Sequence, residues 1–390
     1  MPRTYNRTVE ALDNAQAIFE SCDALVRADL PSDAVLFDAH THLGDDIDGM
    51  ASRSDELLAM LESHGFAGAF TFCLDEPDRS PAFSAANDRT LAYAREVGDV
   101  LVPFARLDLE DGPIEEAIRC LDLGARGIKL HPRAQKFSVG DERLAPVFEL
   151  AVARDVPILI HGGRGLPPIA DHLASLVERF AGVQVVIAHA GIADMAGLAG
   201  HFHGVPGVYF DTSVFSAVDL LDLFRQVAPE QIVFATDYPY GRLPNALLLA
   251  LRVARLAGLD ETQIRGVLGK TAAGIASGAP PPRLTAPRGP QALVQPLTFA
   301  RIHQYIAMAT PLLWLRQPDA IGGLGLAVNA ALEDNGHLEE AAWMRDALVT
   351  AGELWQQLTT VEDDRDRRRI ARAAIGLVHV ADVLAVTTRA

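Results

Sequence analysis

Between residues 35 and 241, short apolar runs alternate with segments whose apolar residues recur every three to four positions. The runs are VLFDAHTH (35–42), AGAFTFCL (67–74), VLVPFARLD (100–108), ARGIKLHP (125–132), VPILIHGG (156–163), VQVVIAHAG (183–191), GVYFDTS (207–213) and IVFATDYP (232–239). They predict eight β-strands. The stretches between them, such as SDELLAMLESHG, IEEAIRCLDLG and DLLDLFRQVAPE, carry helical periodicity, and many stop at loops rich in Gly or Asp. Strand, helix and two loops recurring roughly every 30 residues predict parallel β/α units. Eight such units over residues 35–276 have the size of a closed (β/α)8 TIM barrel. A doubly wound open sheet is the competing arrangement. It calls for a Gly-rich phosphate turn after the first strand, and FDAHTHLG is not one.

Outside this rhythm the pattern is helical. Residues 1–34 read as a polar helical extension, and helices near 244–257 and 261–276 would complete the ring. The stretch SGAPPPRLTAPRGPQALVQP (277–296) is dense in Pro and Gly and reads as a linker. Residues 297–390 include HLEEAAWMRDALVTAGELWQQL and RRRIARAAIGLVHVADVLAV and predict a C-terminal α-helical appendage with no strands. Its Trp314, Trp343 and Trp355 are expected to pack a helical core. The appendage is expected either to cover the barrel mouth or to form a homo-oligomer contact.

Composition narrows the partners. At 390 residues with 49% hydrophobic content, the chain can bury a large core. Its formal net charge of −17, with no basic stripe, disfavours nucleic acid and anionic membrane surfaces. No stretch stays apolar and uncharged for the ~18 residues of a membrane helix, and the N-terminus lacks a secretory pattern. Cys22, Cys73 and Cys120 are too widely spaced for a disulfide framework or a CxxC metal site, and an odd count suits a reducing compartment. Cys73, in an apolar run, is expected in the core. The expectation is a cytoplasmic protein acting on a small molecule, without a nucleic-acid or membrane partner.

Candidate chemistry lies where polar residues interrupt apolar strands. His40 and His42 end the first strand, Lys129 and His131 the fourth, His161 the fifth, His189 the sixth and Asp237 the eighth. In a barrel these ends share one mouth. Side-chain alternation predicts Asp38, His40 and His42 on one face, with Phe37, Ala39 and Thr41 on the other. An HxH alone is a weak signal, and the chain contains a second one, His201 and His203 in AGHFHGVPG, which precedes a strand and is expected at the surface. Five candidate ligands (His40, His42, His161, His189 and Asp237) at the ends of four strands are harder to obtain by chance. Imidazole and carboxylate donors suit zinc or another borderline divalent ion. An incomplete shell leaves room for a water made acidic by the ion, and Asp237 is placed to take its proton. A further short motif, GVLGKTA (266–272), lacks the first glycine of a phosphate loop and looks helical, so ATP binding is not expected.

Taken in order, HTH after an apolar strand, GIKLHP, IHGG, IAHAG and ATDYPYG resemble the amidohydrolase superfamily of metal-dependent TIM-barrel enzymes. The phrasing is most similar to the branch that includes aminocarboxymuconate-semialdehyde decarboxylase. The resemblance covers roughly residues 35–276 and implies one or two divalent ions. It implies that His40, His42 and His161 are ligands, and that Asp237 is a ligand or the proton shuttle. His189 would bind a second ion or act as a base. Lys129 would be carboxylated and bridge two metals, or else orient a substrate carboxylate or pair with an acid. His131 and Arg133 are candidate substrate contacts, with a structural role for His131 equally open.

Three functions are consistent with this pattern. The leading one is a metal-dependent hydrolase attacking an amide, ester or lactone carbonyl. The alternatives are a non-oxidative decarboxylase acting on a small carboxylated substrate, and a non-catalytic metal-binding assembly module. Intact Asp237 argues against the last.

Overall fold

The computed structural model describes residues 2–333 and 339–389. Its strands are β1 (Leu36–Asp45), β2 (Ala51–Ser52), β3 (Phe66–Cys73), β4 (Leu101–Arg106), β5 (Gly127–Leu130), β6 (Ile158–Ile160), β7 (Val185–Ile187), β8 (Val208–Asp211) and β9 (Ile232–Val233). They form one sheet in the order β2-β1-β3-β4-β5-β6-β7-β8-β9. All eight expected strands are present. The additional β2 pairs antiparallel with the end of β1, and every other pairing is parallel. Helices separate successive parallel strands, for example Ser84–Val97 between β3 and β4 and Ala217–Gln226 between β8 and β9.

The sheet curls until the segment after β9 returns to β1. Ala39 N donates to Phe234 O (2.8 Å), Asp237 N to His40 O (2.9 Å) and His42 N to Tyr238 O (2.8 Å), while Thr41 and Tyr238 form a parallel bridge. This is an α/β architecture consistent with a TIM barrel. An open doubly wound sheet would leave its edge strands apart.

Alternation splits the apolar residues into two layers. Ile128, Ile158, Ile160, Val185, Ile187, Val208 and Phe210 pack outward under the helices. Phe70, Phe104, Leu159, Val186, Tyr209 and Val233 form a separate inner cluster. The helix Thr271–Ala276 adds Ala272 and Ile275 to that cluster.

β1 departs from simple alternation. Its register with β3 runs Phe37↔Gly68 and Asp38↔Ala69, then Thr41↔Thr71 and His42↔Phe72. One extra residue on β1 is a bulge, which shifts the facing of everything after it. Phe37 and Ala39 join the inner cluster, against the expectation that they lie on the face opposite His40 and His42. His40 and His42, beyond the bulge, also lie inside, each beside Phe72.

The segment expected as one helix over 261–276 is broken. Asp260 opens Glu261–Arg265 with a capping box to Gln263, a π-turn covers Gly266–Lys270, and Thr271–Ala276 resumes. Gly269 sits against β1, where a Cβ would lie 2.2 Å from Val35 O. The glycine of this decoy motif thus serves strand packing. Residues 279–296 carry no regular secondary structure.

The C-terminal region is helical: Leu297–Trp314, Ala320–Glu333, Glu339–Gln357 and Asp364–Thr387. The expected start of the third helix at His337 and Leu338 lies outside the described residues. Contrary to expectation, the last helix holds an 18-residue window long and apolar enough to cross a membrane, with mean hydropathy 1.7, but 89% of it is buried inside the protein. That burial is the pattern of a core helix. Trp355 is buried and Trp343 packs partly against the core, as expected, but Trp314 is 52% exposed. The three cysteines are free and buried.

Candidate active site

Six polar side chains from five strand ends converge inside the curled sheet. His40 is buried, with Nδ1 2.7 Å from Asp211 Oδ2 and Nε2 3.2 Å from Asp237 Oδ1. His42 Nε2 lies 3.1 Å from the same Asp237 oxygen. Lys129 Nζ lies 3.3 Å from His40 Nε2 and 4.2 Å from the centre of the Phe72 ring. His189 Nε2 is 3.0 Å from His161 Nδ1. Ligand atoms of His40, His189 and Asp237 all fall within 4.8 Å of one another, a spacing that one metal ion can span.

The hydrogen bonds fix the tautomers. A carboxylate only accepts, so His40 carries its proton on Nδ1, facing Asp211, and its Nε2 presents a lone pair. His189 Nδ1 lies 2.9 Å from the Ser213 carbonyl, which also only accepts, so its Nε2 accepts from His161 Nδ1. His161 Nε2 is left as a bare acceptor, buried and without a partner. His42 Nδ1 is likewise buried without a partner. Gly163 makes room for the His161 ring, since a Cβ there would lie 2.6 Å from His161 Cε1 and 2.7 Å from its Nε2.

Burial dominates the electrostatics. It pushes His40, His42 and His161 well below the ordinary imidazole range, keeping them neutral and able to bind a cation. Burial also lowers His189, opposed by the Asp211 charge. It brings Lys129 down to about 7, opposed chiefly by Asp237. Asp237 is raised well above the usual carboxylate range by burial, with Lys129 pulling the other way. Asp237 (φ +57°) and His189 (φ +58°) both sit in the left-handed region, an uncommon conformation for side chains of this size and one that clusters at functional sites.

The site thus brings His40, His42, His161, His189, Asp237 and Lys129 together. His131 is adjacent: its ring stacks on His161 at 3.9 Å, while its Nδ1 accepts from Ala134 N and caps the short helix Pro132–Gln135. Arg133 is exposed on the rim of a neighbouring cavity. His201 and His203 do not join this cluster: they stand at the end of the helix Met195–Phe202, where exposed His201 meets Asp171 at 2.8 Å.

Sequence reading misses Asp211. It ends β8 and accepts from His40, from His189 N (2.8 Å), from Ser213 N (2.9 Å) and from Ser213 Oγ (2.6 Å). A signal for it exists, because GVYFDTS carries an Asp at its strand end just as IVFATDYP does. Asp38, which the alternation places only on a face, has a structural task. It clamps β1 to the returning segment through Thr236 N (3.0 Å) and Thr236 Oγ1 (2.6 Å), and burial pushes it up to about 7.

Two cavities open beside the cluster. One of about 560 Å³ is lined by His161, His189, Arg133, His303, Trp314 and Asp382, among others. The other, of about 210 Å³, borders Asp237, Tyr240, Arg368, Arg372 and His379. Both are walled in part by the C-terminal helices, so that region covers this face of the sheet.

Comparison with known proteins follows the same outline. The family model described as Amidohydrolase matches residues 37–275. No curated protein matches the chain. Among solved structures, IDCase from Metarhizium anisopliae in apo form is 16% identical, covering 63% of this chain and 98% of that one, with TM-score 0.50. A probable 2-pyrone-4,6-dicarboxylic acid hydrolase from Acinetobacter baumannii, with citric acid bound, is 12% identical over 62% of this chain and 99% of that one, with TM-score 0.50. 5-Carboxyvanillate decarboxylase from Sphingomonas paucimobilis is 17% identical over 63% and 99%, with TM-score 0.47. At these identities the first two show a likeness of fold.

Proposed function

Because the chain belongs to the amidohydrolase family, we propose that it is a metal-dependent hydrolase whose closed (β/α)8 barrel opens an amide, ester or lactone bond at the mouth. One observation carries the reading. His40 Nε2, a lone pair by its tautomer, faces Asp237 Oδ1 at 3.2 Å. Two acceptors at that distance need a proton or a cation between them. The buried, unpartnered His161 Nε2 supplies a further vacant donor to a cation.

His40, His42, His161 and Asp237 would hold the ion, and their nitrogen and carboxylate atoms suit Zn2+. Bound there, the ion supplies a Lewis acid that polarises a carbonyl and acidifies water. Asp211 orients His40, as a supporting carboxylate does around metal-bound histidines. Asp237, its carboxyl raised above the usual carboxylate range by burial, is the group that would pass a proton to a leaving group. His189, anchored through Nδ1 on Ser213, would act as a base through its Nε2 once the hydrogen bond from His161 Nδ1 is released. Lys129, brought to about 7 by burial, is poised to exist as a free amine, the form that carboxylation requires.

The test joins metal analysis to a product assay on the purified chain. The reading expects one or two equivalents of zinc, under about half an equivalent in His40→Ala, and wild-type content in His201→Ala/His203→Ala. A second equivalent that Lys129→Ala removes would make the site binuclear. Acid release from esters or lactones supports the hydrolase. Carbon dioxide release without any hydrolysis overturns it in favour of a decarboxylase on the same ligands.

A further inference from the structure

The smaller cavity beside Asp237 has an unusual wall for so acidic a chain. Arg242, Arg316, Arg368 and Arg372 all line it, and Asp237 is the one carboxylate that does so among the described residues. Among those residues, too, none of the four arginines has a carboxylate within 4.0 Å. In a protein of net charge −17, acids to pair with are plentiful. Four arginines that line one cavity without such a partner leave room for an anion from outside the chain.

Two of them are anchored without meeting a carboxylate. Arg372 Nη2 donates to Pro239 O at 2.6 Å, two residues past Asp237. Arg242 lies 4.0 Å above the Phe19 ring, partly buried, and burial together with neighbouring Arg372 lowers it to about 10. Like charges packed this way cost stability unless an anion relieves them.

A second observation points to a ligand. His379 is 9% exposed and Asn245 is 2% exposed, and both line the cavity. His379 Nε2 and Asn245 Oδ1 are buried with no hydrogen-bond partner. The Asn245 amide nitrogen donates to Gly376 O at 2.7 Å, and its oxygen is left as an unpartnered acceptor. Buried polar atoms are ordinarily satisfied. Both of these are acceptors, because burial keeps His379 neutral with its proton held toward Phe215 O. They take an O–H or N–H of a ligand and leave its carboxylate to the arginines. Apolar surface completes the wall, from Phe215, Trp314 and Ile375.

We propose that the C-terminal helices complete the active site with an anion subsite, built by Arg368 and Arg372 with Arg242 and Arg316, which holds a carboxylate of the substrate remote from the bond that reacts. The substrate is then a small molecule with an apolar or planar body and a carboxylate at its far end. Arg316, Arg368 and Arg372 lie beyond residue 275, where the family match ends. The subsite therefore belongs to this chain's added region, and it rests on the proposed function only in placing the reacting bond at Asp237. Guanidinium suits the role because its fork meets a carboxylate with two parallel hydrogen bonds.

Calorimetric titration of the full chain with isophthalate, its neutral diamide and inorganic phosphate tests this. The expected result is measurable isophthalate binding, at least tenfold weaker in Arg368→Gln/Arg372→Gln, with no binding of the diamide. Arg283→Gln/Arg301→Gln removes equal charge from exposed positions off the cavity and should leave affinity unchanged. Arg316→Gln, at an exposed position, repeats the test without touching the folded interior and should weaken isophthalate severalfold. Equal affinity across wild type and the cavity variants overturns the subsite, and so does tighter binding of phosphate than of isophthalate. Running the series with zinc-loaded and chelator-stripped protein separates the two readings. An arginine-dependent loss that persists without metal keeps the subsite even where the metal reading fails.

Discussion

His40 and Asp211, 171 residues apart in sequence, meet at 2.7 Å, and this hydrogen bond turns the His40 Nε2 lone pair toward Asp237. The metal-site reading depends on that orientation. Asp211→Asn keeps the size of the side chain and removes the charge that selects the tautomer. Metal affinity should fall about 10- to 100-fold, the range for lost supporting partners. Competition with a chelator of known affinity measures it, and an unchanged affinity would remove Asp211 from the site.

Gly163 offers a test that touches no candidate ligand. A Cβ there would lie 2.6–2.7 Å from the His161 ring, so Gly163→Ala must displace that imidazole. Zinc content should drop while circular dichroism stays at wild type. Full metal content in a folded variant would argue that His161 is not a ligand.

Packing inside the sheet makes a stability prediction. Gly127 faces Phe104, where a Cβ on the glycine would lie only 2.5 Å from Phe104 Cε2, and Phe104 is 2% exposed. Gly127→Ala should cost about 1–3 kcal/mol in urea denaturation, the scale of overpacking. Adding Phe104→Leu should recover part of the loss. No recovery would mean that the strain arises elsewhere.

The His303–Asp382 pair, 2.7 Å apart on the wall of the larger cavity, gives a pH dependence. Asp382 raises His303 above the ordinary imidazole range, and Asp219 adds to this, while burial opposes it. Burial keeps Asp382 itself above the usual carboxylate range, its bond to His303 offsetting only part of the effect. A raised histidine contributes stability that is fully present below its unfolded value and is lost as pH rises through its folded value. Asp382→Asn should therefore destabilise the protein more at pH 6 than at pH 9, and should lower the His303 titration followed by NMR. Equal destabilisation at both pH values would count against the pair.

The sequence alone determined the strand rhythm and the candidate ligands, because parallel strands buried on both faces must be apolar and any His or Asp at their ends stands out. His40, His42, His161, His189 and Asp237 were legible for that reason, as was the exclusion of His201 and His203. Only the tertiary structure decided which way β1 faces its side chains, since a bulge is a one-residue mismatch between two strands and leaves no mark on one of them. It alone revealed Asp211 as the partner of His40, a pairing set by the curl of the sheet. It alone brought Arg368, Arg372, His379 and exposed Trp314 to the cavities, because helical periodicity tells which face of a helix is apolar but not what that face packs against.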